Sequence, residues 1–200
     1  MTLNYFLKGE NIFLNRLEAN ELKKLCRLIT DWVNDGVVTY FMFTGQKPQN
    51  YKQVFNDFKK QLDAGGNIIF LIGDCKTKKL IGYAGLYDIN YTSRKAEFRI
   101  LIGEKAFWGK GYGTEVTELV TFYGFDRLNL NRIYLGYTAS NKRAGWAYGQ
   151  AGYVCEGTLK EDIFRNSRYY DSIRMAILRK NYYKKFYKSH SKRFKQDFPK

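Results

Sequence analysis

The sequence is poor in the residues that usually carry metal or nucleophile chemistry. It holds one histidine, His190, and three cysteines, Cys26, Cys75 and Cys155, widely spaced and without a CxxC. A lone histidine argues against a His-based triad or a His metal cluster. An odd, scattered cysteine set suggests neither a disulfide framework nor a zinc site, so no metal is expected. Proline occurs only twice, and no stretch reads as a linker or low-complexity segment. No apolar run reaches the roughly 18 residues that would mark a membrane span. The start, Met1-Thr2-Leu3-Asn4-Tyr5, lacks the basic-then-apolar layout of a signal peptide. The expectation is a cytoplasmic protein with no membrane contact.

Acids are outnumbered, 19 against 34 Lys and Arg, for a formal charge of +15. The excess is concentrated at one end: from Arg179 onward nine basic residues face only Asp197, which leaves +7 on the rest. The body is thus moderately basic. What the chain does have is 44% hydrophobic and 18% aromatic residues over 200 positions, enough for one substantial core and one domain.

Residues 11–17 read as a strand, followed by a capped amphipathic helix through Leu22, Leu25, Cys26 and Ile29. The aromatic stretch from Trp32 to Pro48 reads as a loop or broken helix. A second helix is expected from about Gln49 to Leu62, stopped by Gly65-Gly66. Two β-rich runs, 68–72 and 80–89, flank a polar turn, and 96–102 is a third consecutive strand. A helix to about Arg127, a strand at 132–137, a helix at 142–151 and strands from 152 and at 172–178 complete the pattern. This order gives an α+β fold: a mixed, mostly antiparallel sheet flanked by helices.

Between the third strand and the following helix lies Trp108-Gly109-Lys110-Gly111-Tyr112-Gly113-Thr114. Three alternate glycines at a helix start let successive backbone N–H groups converge on an anion such as a pyrophosphate, and the helix dipole adds to the attraction. The spacing excludes a Walker loop, because Lys110 is followed by Gly111 and not Ser or Thr. A dinucleotide fingerprint would need glycine where Thr114 stands.

Farther along, Asn141, Ala144, Tyr148, Gly152 and Tyr153 fall on an Asn-x-x-Ala-x-x-x-Tyr-x-x-x-Gly-Phe pattern, with Tyr for Phe at its end. With the glycine segment, this resembles the GNAT superfamily of N-acetyltransferases, in particular the RimJ/RimL-like branch of ribosomal-protein, spermidine and amino-sugar acetyltransferases. The signature Gln/Arg-x-x-Gly-x-Gly/Ala lands on Trp108, Gly111 and Gly113, so its first position departs from the usual residues. The resemblance implies a domain over 1–180 with a splayed parallel strand pair; composition marks 181–200 as a basic aromatic tail.

It further implies acetyl-CoA as cosubstrate. The pantetheine arm would bond to Ile100, Leu101 and Ile102, and the pyrophosphate to Trp108, Gly109, Lys110, Gly111, Tyr112, Gly113 and Thr114, with Asn141, Ala144 and Tyr148 also near the cofactor. Tyr148 is the expected donor to the leaving thiolate, or a residue that packs on pantetheine. Glu97 is the candidate base, or the structural ion-pair partner of Arg99, which shares its strand face. Asn141 bonds the cofactor or caps a helix. Trp32, Tyr40, Phe41 and Phe43 would border the acceptor cleft or belong to the core.

For the acceptor, the basic charge favours a nucleotide-linked amino sugar or a protein N-terminus over spermidine, a polycation. A second class of function is contact with RNA or the ribosome through Tyr182, Tyr183, Phe186, Tyr187, Phe194 and the neighbouring basic residues of the tail. A homodimer is left open.

Overall fold

The computed structural model describes residues 5–17, 19–42 and 45–194. Its frame is an eight-stranded sheet in the order β1-β2-β3-β4-β5-β6-β8-β7. The strands are Leu7–Lys8 (β1), Ile12–Arg16 (β2), Ile68–Asp74 (β3), Leu80–Asn90 (β4), Lys95–Ile102 (β5), Arg132–Thr138 (β6), Val154–Arg165 (β7) and Arg168–Leu178 (β8). Neighbours pair antiparallel except β5 and β6, which run parallel. The expected mixed, mostly antiparallel α+β sheet is therefore the one formed.

Alternation along the strands gives the sheet two buried faces. On one, Ile12, Leu14, Phe70, Ala96, Phe98, Ile133 and Leu135 pack against helix α3 (Tyr112–Asp126) through Val116, Leu119 and Val120. On the other, Leu17, Ile69, Leu71, Tyr87 and Leu101 meet α1 (Ala19–Asn34) and α2 (Tyr51–Asp63). Helix α2 starts where the chain supplies a capping box: Asn50 accepts from Gln53 N–H, and the Gln53 side chain accepts from Asn50 N–H.

One sequence expectation changes. The first helix continues to Asn34 instead of breaking at Trp32. The reason is tertiary: the Trp32 ring lies on Gly103, where any Cβ would come within 2.1 Å of it, and its indole donates to Glu104 Oε1 at 3.2 Å. Trp32 is thus core and not a wall of an open cleft. The C-terminal segment, basic and aromatic in sequence, is helical and docked. It folds as α5 (Arg179–Lys185) and α6 (Tyr187–Phe194), with Tyr182, His190 and Phe194 buried. Tyr183, Phe186 and Tyr187 pack against the same core, so the five aromatics required for base stacking are engaged internally.

Candidate active site

The parallel pair is short. Lys95, Ala96 and Glu97 face Arg132, Ile133 and Tyr134, and there the β5–β6 pairing ends. β5 nevertheless continues along β4 as far as Ile102, and β6 along β8 as far as Thr138. The sheet is split between them. Gly103 N donates to Ile81 O at 2.9 Å, which sets the alternation: Leu101 and Arg99 turn their backbone polar groups toward β4, whereas Phe98, Ile100 and Ile102 turn theirs toward the gap. Of the three residues expected along the gap, Ile100 and Ile102 turn backbone groups to it, the Ile102 carbonyl accepting from the Trp108 indole, and the Leu101 backbone is used by β4.

At the end of the split, Trp108 donates its indole N–H to Ile102 O at 2.8 Å. The unusual residue in the glycine signature therefore ties the loop to β5. Gly109 and Gly111 adopt φ of 73° and 83°, and among the described residues no atom beyond the chain neighbours lies within 4 Å of where their Cβ atoms would be. Left-handed backbone here favours glycine. Gly111 is the N-cap of α3, and the first helical bond runs from Glu115 N to Gly111 O. The N–H groups of Tyr112, Gly113 and Thr114 find no acceptor among the described residues. Three free donors at the positive end of a 15-residue helix form an open anion cradle, and Lys110 stands exposed beside it.

Helix α4 (Lys142–Gln150) carries Tyr148 to the mouth of the split. Its ring packs against one residue of each diverging strand, Phe98 of β5 at 6.3 Å and Tyr137 of β6 at 5.7 Å, and against Tyr153 at 6.4 Å. Burial pushes the phenol up to about 12, and the hydroxyl bonds to no described residue. Glu97 occupies the last parallel pair, on the opposite face of the sheet, where Arg99 bonds its carboxylate at 2.6 Å and also reaches Asp88 at 3.1 Å. Asn141 Oδ1 accepts from Ala144 N–H at 3.1 Å, the geometry of a helix cap.

Above the end of β6 lies a shallow cavity bordered by Tyr40, Phe41, Thr138, Ser140, Ile163 and Arg165, among others. Of the four aromatics expected near an acceptor, Tyr40 and Phe41 border this cavity, Trp32 does not, and Phe43 lies outside the described residues. Among the described residues no carboxylate borders it.

Sequence reasoning missed two anchors of the cradle. Glu115, buried in the first turn of α3, accepts from Glu10 N–H, Asn11 N–H and Asn11 Nδ2 at 2.6, 2.9 and 3.0 Å. Tyr112 donates to Asp74 Oδ1 at 2.7 Å, and this bond, with burial, pushes the Tyr112 phenol up to about 12. An acid in the first turn of a helix is a local signal, but its partners lie about 105 residues away.

A split parallel pair, an anion cradle at the adjoining helix and a tyrosine at the mouth together suit an elongated ligand with an anionic end. Residues 11–154 match the family model described as Acetyltransferase (GNAT) domain, and the chain belongs to this family of N-acetyltransferases. A spermidine N(1)-acetyltransferase of Vibrio cholerae is 32% identical over 175 residues, 87% of this chain and 96% of that protein. A putative ribosomal N-acetyltransferase of Bacillus subtilis is 25% identical over 179 residues, 87% and 94% of the two chains. The Vibrio cholerae spermidine N-acetyltransferase solved in complex with CoA and spermine superposes with a TM-score of 0.76 at 32% identity, over 86% of this chain and 98% of that one.

Proposed function

We propose that the protein transfers the acetyl group of acetyl-CoA directly to a primary amine that approaches across the shallow hollow above β6, with spermidine as the first acceptor to test. The observation that carries the reaction is the position of Tyr148, packed on both strands of the split with its hydroxyl free. The glycine cradle fits a pyrophosphate, because it offers backbone donors and has no side chain in its way. Gly109, Gly111, Gly113 and the N–H groups of Tyr112 and Thr114 would hold that end, and the gap-facing backbone of Ile100 and Ile102 the pantetheine. Acetyl-CoA supplies the thioester.

The transfer forms the amide C–N bond, breaks the thioester C–S bond, and sends the amine's proton to solvent and the sulfur out as CoA thiolate; the protein's own task is to donate a hydrogen bond to the developing negative charge. Tyr148 keeps its proton throughout the neutral range. A phenol near 12 sits well above a thiol at about 8.5, so it acts as a hydrogen-bond donor to a thiolate and not by complete proton transfer. Glu97 lies on the opposite face of the sheet, the side packed by α1 and α2. A base role there has to compete with its ion pair to Arg99.

The polyamine assignment rests on the spermidine acetyltransferases among the relatives, and it reverses the order suggested by net charge. A second acceptor reading, an amino sugar on a nucleotide or a protein N-terminus, is favoured by one observation: among the described residues the cavity is bordered by Arg165 and neutral groups, with no carboxylate to meet a polycation. Thiol release with acetyl-CoA, measured against spermidine, a nucleotide-linked amino sugar and a short peptide amine in parallel, decides between them. Turnover of spermidine alone supports the first reading, and turnover of either other amine in its place discards it.

A further inference from the structure

The loop that carries Tyr40 and Phe41 is held by side chains from far along the chain. Arg165 is the last residue of β7, at a tight hairpin whose two turn residues, Asn166 and Ser167, have φ of 50° and 60°. Its Nη1 donates to Thr39 O at 2.5 Å and to Met42 O at 2.9 Å, and the guanidinium lies 5.6 Å from the centre of the Tyr40 ring. From the end of β6, buried Thr138 donates to Phe41 O at 3.0 Å. Three carbonyls of one short turn are thus taken by two side chains that also border the cavity. The near side of the turn is fixed separately: Asp35 accepts from Val37 N–H and Val38 N–H and pairs with Lys105 at 2.6 Å.

We propose that Arg165 is a positioning residue for the acceptor. By clasping residues 39–42 to the β7–β8 hairpin it fixes the separation of the two walls between which the amine enters. A guanidinium suits this role because one planar group reaches two carbonyls and stacks on an aromatic ring at once. The clasp touches neither the glycine cradle nor the gap-facing backbone of β5, so it governs the acceptor and leaves the acetyl donor alone. This inference rests on the acetyltransferase reading given above.

The test uses the full chain with Arg165→Met, Arg165→Lys and Thr138→Val. Steady-state kinetics vary spermidine and acetyl-CoA in turn, calorimetry gives CoA affinity, and hydrogen exchange follows the amides of residues 39–42. Arg165→Met is expected to raise the amine KM about tenfold and speed exchange at residues 39–42, with the acetyl-CoA KM within about twofold. Arg165→Lys recovers part of both effects, since an ammonium can still reach one carbonyl. Thr138→Val, nearly the same shape without the donor, moves both readouts in the same direction. Equal rises in both KM values, or unchanged exchange in Arg165→Met and Thr138→Val, overturn the proposal. If the wild type turns over no spermidine, the polyamine reading falls. The clasp then stands only if exchange quickens in the variants at unchanged CoA affinity, and falls otherwise.

Discussion

Replacing Tyr148 with phenylalanine isolates one atom. The ring keeps its contacts with Phe98, Tyr137 and Tyr153, and the lost hydroxyl bonds to no described residue, so stability should change by less than about 1 kcal/mol. Affinity for acetyl-CoA should stay within about twofold, because the cradle and the gap-facing backbone are untouched. The rate should not survive: removing one donor aimed at developing negative charge typically costs about 100- to 1000-fold in kcat, or roughly 3–4 kcal/mol. The pH profile adds a second check. Burial pushes the phenol up to about 12, so the donor remains protonated through pH 10, and the wild-type kcat should show no alkaline limb from this residue below that point. Thiol release under saturating amine and acetyl-CoA, with thermal melts of both proteins, supplies the data. A variant that keeps wild-type kcat, or one that loses kcat only in proportion to its lost fold, refutes the assignment and leaves Tyr148 as a packing residue.

Two further predictions concern the supports of the site. Glu115→Ala removes a buried carboxylate that accepts three hydrogen bonds from Glu10 and Asn11. It should cost about 3 kcal/mol and lower the melting temperature by roughly 6–12 °C, and a melt within about 2 °C of wild type would show that the β1–β2 turn does not depend on it. His190 is buried beside Tyr182, with its Nδ1 3.0 Å from the phenol oxygen, and burial, with Arg193 nearby, lowers it from 6.5 to about 4. The unfolded chain then binds the extra proton first as pH falls, so this contribution is complete above pH 6.5 and is lost on the way down to pH 4, about 3 kcal/mol in all. Urea unfolding at pH 7 and pH 4.5 should show a smaller loss in His190→Gln; equal losses in both proteins would place the acid sensitivity elsewhere.

The parts of the fold that were legible in the sequence are those written locally. The β3–β4 hairpin has apolar runs around a polar turn, the cradle has its alternate glycines, and α2 has Gly65-Gly66 to stop it. What escaped notice is written between distant residues. Trp32 looked like loop because its helix is completed by contact with Gly103, 71 residues on. Nothing near Arg165 indicates that its partners are Thr39 and Met42. The C-terminal helices were partly readable: Tyr182, Phe186, His190 and Phe194 recur every fourth residue, a helical stripe masked by the lysines around it. Net charge says little about the acceptor, since exposed lysines of α5 and α6 contribute to the total without lining the cavity.

The central claim is that the cradle and the split hold acetyl-CoA, and calorimetric titration of wild type and Gly113→Asp with acetyl-CoA tests it most directly. Gly113 suits the purpose because its Cβ would meet only Ile102 Cδ1, at 3.8 Å, and its backbone needs no left-handed φ, so the variant should fold. The aspartate sets a negative charge at the helix start that would receive the pyrophosphate. Saturable binding by the wild type, weakened at least about tenfold in a folded Gly113→Asp, is the predicted result; no binding by the wild type, or equal binding by both proteins, would contradict it.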